Sequence, residues 1–249
     1  MCFSAANKPQ KKDFKKLQED FATQYEEYDK DVRPGFFCVS GFDHPEMPVI
    51  TAEKQLIDKS WGLIPQWAKD WDQAKDLRNM TLNAQSETID SKPSFKTAVS
   101  DQRFCIVPLT GFFEWHTHHD KKKYPFFIYP SEGVFFYVAG LYDTWMHPQT
   151  KQAYHSFTLC TTEANERMAW IHNTKKRMPC LLTLEESKLW LDKGMSFTEK
   201  QGLLRPASEE LHRDHSISKL INESAEQKNQ AQVTEPYTYP ELSFGTLFD

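Results

Sequence analysis

Between Arg103 and Thr161 the chain runs through RFCIVPL (103–109), FFEWH (112–116), KYPFFIYP (123–130), VFFYVAGLYDTW (134–145) and YHSFTLCT (154–161), with short stretches between them. These runs are dense in Phe, Tyr, Val and Ile and bounded by turn-forming residues, which predicts strands of an antiparallel or mixed sheet. Thr110-Gly111 reads as a turn between the first two. Such a sheet needs cover, and the flanking segments supply it. Phe14, Leu17, Phe21 and Tyr25 recur at helical spacing within 10–31, predicting an amphipathic helix that ends before Arg33-Pro34-Gly35. FFCVSGF (36–42) and MPVIT (47–51) read as strands, and PSFKTAV (93–99) as a short helix. TTEANERMAWIH (161–172) reads as a helix capped by Thr162, with Glu163 and Glu166 in its first turn; LTLEESKLWLDK (182–193) reads as another. WGLIPQW (61–67) is an aromatic turn around Pro65, and 68–82 is polar and expected to be irregular. The expected class is α+β.

No repeat or linker divides residues 1–222, so one domain is expected there, followed by a polar, acidic tail over 223–249 that is mobile until its last aromatic residues. The length of 249 residues suffices for one substantial core. With 18 Phe and 7 Trp against 9 Gly, the composition favours aromatic-lined clefts over a glycine-rich nucleotide fold. No apolar run is long enough for a membrane span, and the start lacks a secretory h-region. Five widely spaced cysteines without a CxxC pair argue against a disulfide framework or zinc ribbon, and for a reducing, cytoplasmic setting. Of the net charge of −5, most falls in the tail, where Glu223, Glu226, Glu235, Glu241 and Asp249 face Lys228. The body is close to neutral and can carry a local basic groove, which excludes broad DNA coating but not a small nucleic-acid site.

Four stretches can carry chemistry. Cys2 would become the first residue if Met1 were removed, giving a 1,2-aminothiol that can capture an aldehyde as an imine and close a thiazolidine ring. Its amine titrates near about pH 8 and its thiol near about 8.5, so both are partly nucleophilic at neutral pH. Asn83 lies in the polar loop TLNAQSET (81–88). Glu114 sits among aromatic residues in GFFEWH; it faces either solvent or an apolar pocket that would raise its pKa into the range for proton transfer. His172 ends a helix and precedes Lys175, Lys176 and Arg177, which serve either as complements to the helix dipole or as a phosphate-binding patch. His116, His118 and His119 lack a further ligand nearby in sequence, so no metal site and no cofactor are expected.

Taken together, MCxx at the start, WGLIPxWAKD, the NAxxET loop, CxxPxxGFFEW, KxPFFI, GLxxxW, TTEAN, IHxxxxRMP and hSISKLIN resemble the SRAP (SOS response-associated peptidase) family over residues 1–222. Its members process abasic sites and cross-link themselves to damaged single-stranded DNA. The resemblance implies a bifurcated, barrel-like mixed β-sheet surrounded by helices. It also implies roles: Cys2 as nucleophile toward the C1′ aldehyde, Asn83 as the group orienting sugar and adduct, Glu114 as proton shuttle, and His172 as the residue assisting ring opening. Thr161 matches a position near the sugar-phosphate, and Trp67 an aromatic that supports the DNA groove, whereas Trp61 is expected in the core. Three departures stand out. Phe3-Ser4 replaces the family's Gly-Arg, Gln85 replaces an arginine in the loop, and the turn after His172 is longer, with Lys175 and Lys176 before Arg177. The implied partner is single-stranded DNA carrying an abasic site, bound by a monomer away from membranes, with lyase-type and peptidase activities. Two rivals remain open at this stage: an N-terminal-nucleophile cysteine hydrolase and a non-catalytic single-strand-binding module.

Overall fold

The computed structural model describes residues 2–23 and 35–242. In chain order the strands are β1 (Ser4–Asn7), β2 (Phe36–Ser40), β3 (Glu46–Thr51), β4 (Leu56–Trp61), β5 (Asn83–Gln85), β6 (Phe104–Leu109), β7 (Gly111–Thr117), β8 (Lys123–Pro130), β9 (Phe136–Met146), β10 (Ala153–Glu163), β11 (Arg177–Pro179), β12 (Leu181–Leu182) and β13 (His212–Ser216). The helices are α1 (Lys11–Phe21), α2 (Trp71–Met80), α3 (Pro93–Ser100), α4 (Glu166–Ile171), α5 (Leu184–Leu191), α6 (Phe197–Lys200) and α7 (Ala225–Lys228).

The long strands β9 and β10 pair with each other, and the path β10-β4-β3-β6-β9 returns to β10, closing a five-stranded barrel. Closure removes free edges from these strands. The barrel is mixed, because β10 runs parallel to β4 and β5 but antiparallel to β9 and β11. A second sheet, entirely antiparallel, has the order β13-β8-β7-β1-β2. The fold is thus the expected single-domain α+β body with a bifurcated, barrel-like mixed sheet and surrounding helices. The strands alternate between two cores, as the two-residue period of a pleat requires. Cys105, Val107, Val138, Phe157 and Leu159 face a core shared with Cys2, Ala5, Phe112 and Ile128 of the second sheet. Phe104, Ile106, Ala139, Leu141 and Cys160 face one filled by Phe14 and Leu17 of α1, Phe95 of α3 and Trp190 of α5.

Several local expectations change. Thr110-Gly111 is not a hairpin turn: β6 belongs to the barrel and β7 to the second sheet, so the chain changes sheets there. Gly111 is needed because a Cβ would sit 2.3 Å from the Phe127 ring. Residues 71–80 form α2 rather than irregular chain, capped by Asp70 Oδ1 accepting from Gln73 N and packed through Ala74 and Leu77. Only two buried residues mark its inner face, too sparse a stripe to read from the sequence. β4 has no clear strand pattern in the sequence, since the buried Lys59, its Nζ 4.6 Å from the Tyr142 ring, interrupts the apolar alternation. β10 extends through Glu163, and the cap of α4 is Asn165, which accepts from Met168 N, instead of Thr162. α1 covers Lys11–Phe21 with Phe14, Leu17 and Phe21 buried; Tyr25 and the rest of the predicted helix lie outside the described residues. The expectation of a mobile tail differs over 223–242, where Val233 and Tyr239 are buried, Asn229 Oδ1 accepts from Phe37 N, and Pro236 bridges Ile217.

Candidate active site

β1 runs between β7 and β2, with Ala5 opposite Phe112 on one side and Val39 on the other. This central position draws Cys2 inward. It has no exposed surface, its Sγ lies 3.6 Å from the Ser4 carbonyl, and its own carbonyl accepts from Asn83 Nδ2 at 2.8 Å. Asn83 is held on β5, paired with Leu159 of β10, so it occupies a short buried strand rather than a polar loop. Its Oδ1 is buried without a hydrogen-bond partner among the described residues.

Glu114 lies mid-β7. Phe113 and Trp115 face one side with the Cys38 core, while Phe112 faces the core containing Cys2; alternation therefore turns Glu114 inward, and it is only 4% exposed. Of the two orientations open to it in the sequence, the apolar one is realised. Burial pushes its carboxyl up to about 8. His172 follows α4, and Asn173 fastens this corner to β7 by accepting from Thr117 N at 3.0 Å and donating to Thr117 O at 2.8 Å. His116 adds a bond between its Nδ1 and Trp170 O. The His172 Nδ1 faces the Arg177 carbonyl at 2.9 Å, so it carries the proton and leaves Nε2 as an acceptor, 3.8 Å from Glu114 Oε2. Burial lowers the imidazole to about 4. Glu114 and His172 are therefore both neutral between about pH 4 and about pH 8, and their proximity is not an ion pair. The Cys2 thiol is pushed up by burial and by the Glu114 carboxyl.

A cleft of about 350 Å³ opens over this pair, lined by Phe3, Glu114, His172, Lys123, Lys175 and Asn222 among others. Phe3, Lys123 and Asn222 carried no site role in the sequence, although Phe3 is a departure from the family's start, Lys123 opens KxPFFI and Asn222 closes hSISKLIN. Lys175 and Lys176 are exposed, Lys175 at the cleft. Arg177 is not available in the same way: its guanidinium forks onto Glu87 and donates to the Thr161 carbonyl at 2.7 Å. Thr161 is buried, beside the half-buried Gln85, its register partner across β10 and β5. Trp67 is 42% exposed and tethered by its indole N–H to the Pro93 carbonyl, while Trp61 is fully buried and donates to Leu82 O. Among the described residues no group of three His, Cys, Asp or Glu side chains could hold a metal ion, and no helix is long and apolar enough to cross a membrane.

A carboxyl kept protonated beside an imidazole kept neutral, at the floor of a small cleft, is equipment for moving protons on a bound ligand. Comparison with known proteins adds the lineage. The chain belongs to the SOS response associated peptidase (SRAP) family, whose model matches residues 1–224. It is 37% identical over 163 residues to the abasic site processing protein YoqW of Bacillus subtilis, covering 65% of this chain and 69% of that one. It is 31% identical over 199 residues to the abasic site processing protein HMCES of Gallus gallus, covering 72% of this chain and 57% of that one. A crystal structure of a Bacteroides thetaiotaomicron protein superposes with a TM-score of 0.85 at 32% identity, covering 95% of this chain and all of the other.

Proposed function

We propose that this protein recognises abasic sites in single-stranded DNA and captures them covalently through Cys2 once Met1 is removed. The observation that carries the reading is that Glu114, close enough to Cys2 to raise its thiol, pairs with His172 at a cleft that Phe3, the neighbour of Cys2, also lines. In the closed sugar, His172 Nε2 takes the C1′ hydroxyl proton and hands it to the ring oxygen as the C1′–O4′ bond breaks, releasing the aldehyde. The freed Cys2 amine adds to C1′ and passes one proton to the carbonyl oxygen; the protonated Glu114 then gives its proton to the departing hydroxyl, water leaves, and Glu114 recovers a proton from the nitrogen as the imine forms. The thiol, held protonated by burial, then adds its sulfur to the imine carbon while its proton goes to nitrogen. Aldehyde plus aminothiol thus give thiazolidine plus one water, with no oxidant. Asn83 holds the Cys2 backbone, and its open Oδ1 is an acceptor for the amine or a sugar hydroxyl.

Trp67 offers an exposed ring for base stacking, and Lys175 and Lys176 offer charge for phosphates. Thr161, Gln85 and Arg177 act with them on the strand, held together by the β5–β10 register and the Arg177 bond to the Thr161 carbonyl. Residues 1–222 form the processing domain, which acts as a monomer. The imine stage permits lyase-type elimination, and the peptidase label is satisfied by release of Met1. Five buried free cysteines fit a reducing, cytoplasmic setting. The test is to incubate Met-processed protein with an oligonucleotide bearing one abasic site. Intact mass should show protein plus DNA minus one water, and Cys2→Ala should show none. Absence of the adduct in the parent protein, or its persistence in Cys2→Ala, rejects the mechanism.

A further inference from the structure

A second cleft, of about 440 Å³, is lined by Lys122, Tyr124, Ser218, Lys219, Tyr237, Tyr239, Pro240 and Glu241. Its outer wall comes from residues beyond the 1–224 span of the family match. The wall is firmly held. Tyr237 N donates to Ser216 O at 2.8 Å, Ser216 Oγ donates back to Tyr237 O at 2.7 Å, and Tyr239 Oη donates to Ile217 O at 2.9 Å. Three rings are arrayed there, Tyr237 against Tyr239 with centroids 4.8 Å apart and Tyr239 edge-on to Tyr124 at 4.8 Å. Tyr237 is half exposed, so one ring remains open to a ligand. Tyr124 is 1% exposed, yet its hydroxyl has no hydrogen-bond partner among the described residues. A buried hydroxyl without a partner is costly unless something else satisfies it.

Resting on the reading above, we propose that this cleft is a subsite for one nucleotide of the DNA strand flanking the abasic site. Three features select that occupant. The open Tyr237 ring suits a base of any identity, since every base has a stacking face. The Tyr124 hydroxyl and Glu241 carboxylate can bond polar groups on the base edge, and Lys219 supplies charge for the phosphate. The cleft also adjoins the candidate active site: Lys122 lines one and Lys123 the other, and the 218–222 stretch contributes Ser218 and Lys219 to one and Asn222 to the other. The tyrosine wall is therefore within reach of a strand leaving the active-site cleft on this side.

The experiment uses the full chain and fluorescently labelled single strands carrying a tetrahydrofuran abasic analogue, which cannot react. One set ends at the lesion and others extend by increasing lengths on either side. The parent protein should bind tighter once one arm reaches a threshold length. Tyr237→Ala should lose that gain, roughly 5- to 150-fold for one stacked base. Tyr237→Trp should keep it, and Lys219→Ala should reduce its salt dependence. Equal affinity of parent and Tyr237→Ala for every length overturns the subsite. Loss of the gain in Tyr237→Trp as well as Tyr237→Ala also overturns stacking. Because the probe is unreactive, failure of the Cys2 chemistry would show only in the separate adduct assay.

Discussion

Glu114→Gln isolates the central electrostatic feature of the site. In the folded chain the carboxyl titrates near about 8, against an ordinary value of 4.5, because it is buried. Between these values the folded state holds a proton that the unfolded state has released, so stability falls as pH rises, by about 1.4 kcal/mol per pH unit. His172 acts in the opposite sense. Its imidazole titrates near about 4 when folded and 6.5 ordinarily, so the unfolded state holds the extra proton and stability falls as pH drops through that window. The two nearly cancel between about pH 4.5 and about 6.5, and Glu114 alone governs the pair's contribution from there to about 8. Gln cannot titrate. Glu114→Gln should therefore gain on the parent protein as pH rises, by about 2.7 kcal/mol between about pH 5.5 and about pH 7.5. The variant's own curve should rise from about pH 4.5 to about 6.5 and then level, while the parent's declines above about 6.5. Urea denaturation at a series of pH values, with m-values checked for constancy, measures both. Parallel curves would mean that the carboxyl is ionised in the folded protein, and the proton-donor role would go with it.

Adduct formation by the parent protein should slow as pH climbs past about 8, where Glu114 loses its proton; stopped time courses across that range check this. Asn83→Ala removes the bond to the Cys2 carbonyl, which should cost about 1–2 kcal/mol in denaturation and slow cross-linking at saturating DNA. Arg177→Met loses the Glu87 fork and the Thr161 carbonyl, so it should destabilise the fold by about 1–3 kcal/mol while leaving the salt dependence of DNA binding unchanged. Lys175→Ala should do the reverse, lowering the slope of log affinity against log salt by about 0.7 without a change in stability. Trp67→Ala should weaken binding of unreactive single strands by about 1–3 kcal/mol; a shift in denaturation midpoint instead would assign that ring to packing.

The fold class and most of the central strands are legible in the sequence, because β-rich aromatic runs and helical spacing are local patterns that tertiary context reinforces here. The sequence also singled out Cys2, Asn83, Glu114 and His172, although their proposed roles came through resemblance, and nothing in their local spacing implied contact. Elements with few apolar residues, such as α2, or with a buried charge, such as Lys59 in β4, were hidden because their burial depends on partners distant in the chain. Tertiary structure alone decided three further matters. Alternation on β7, fixed by its pairing with β1 and β8, turned Glu114 inward and raised its pKa. The Asn173–Thr117 bonds set His172 beside it. Arg177, in a basic run that suggests phosphate binding, was drawn into a structural fork with Glu87. Each depends on which distant groups share a site, and so on the desolvation and pairing that local sequence does not encode.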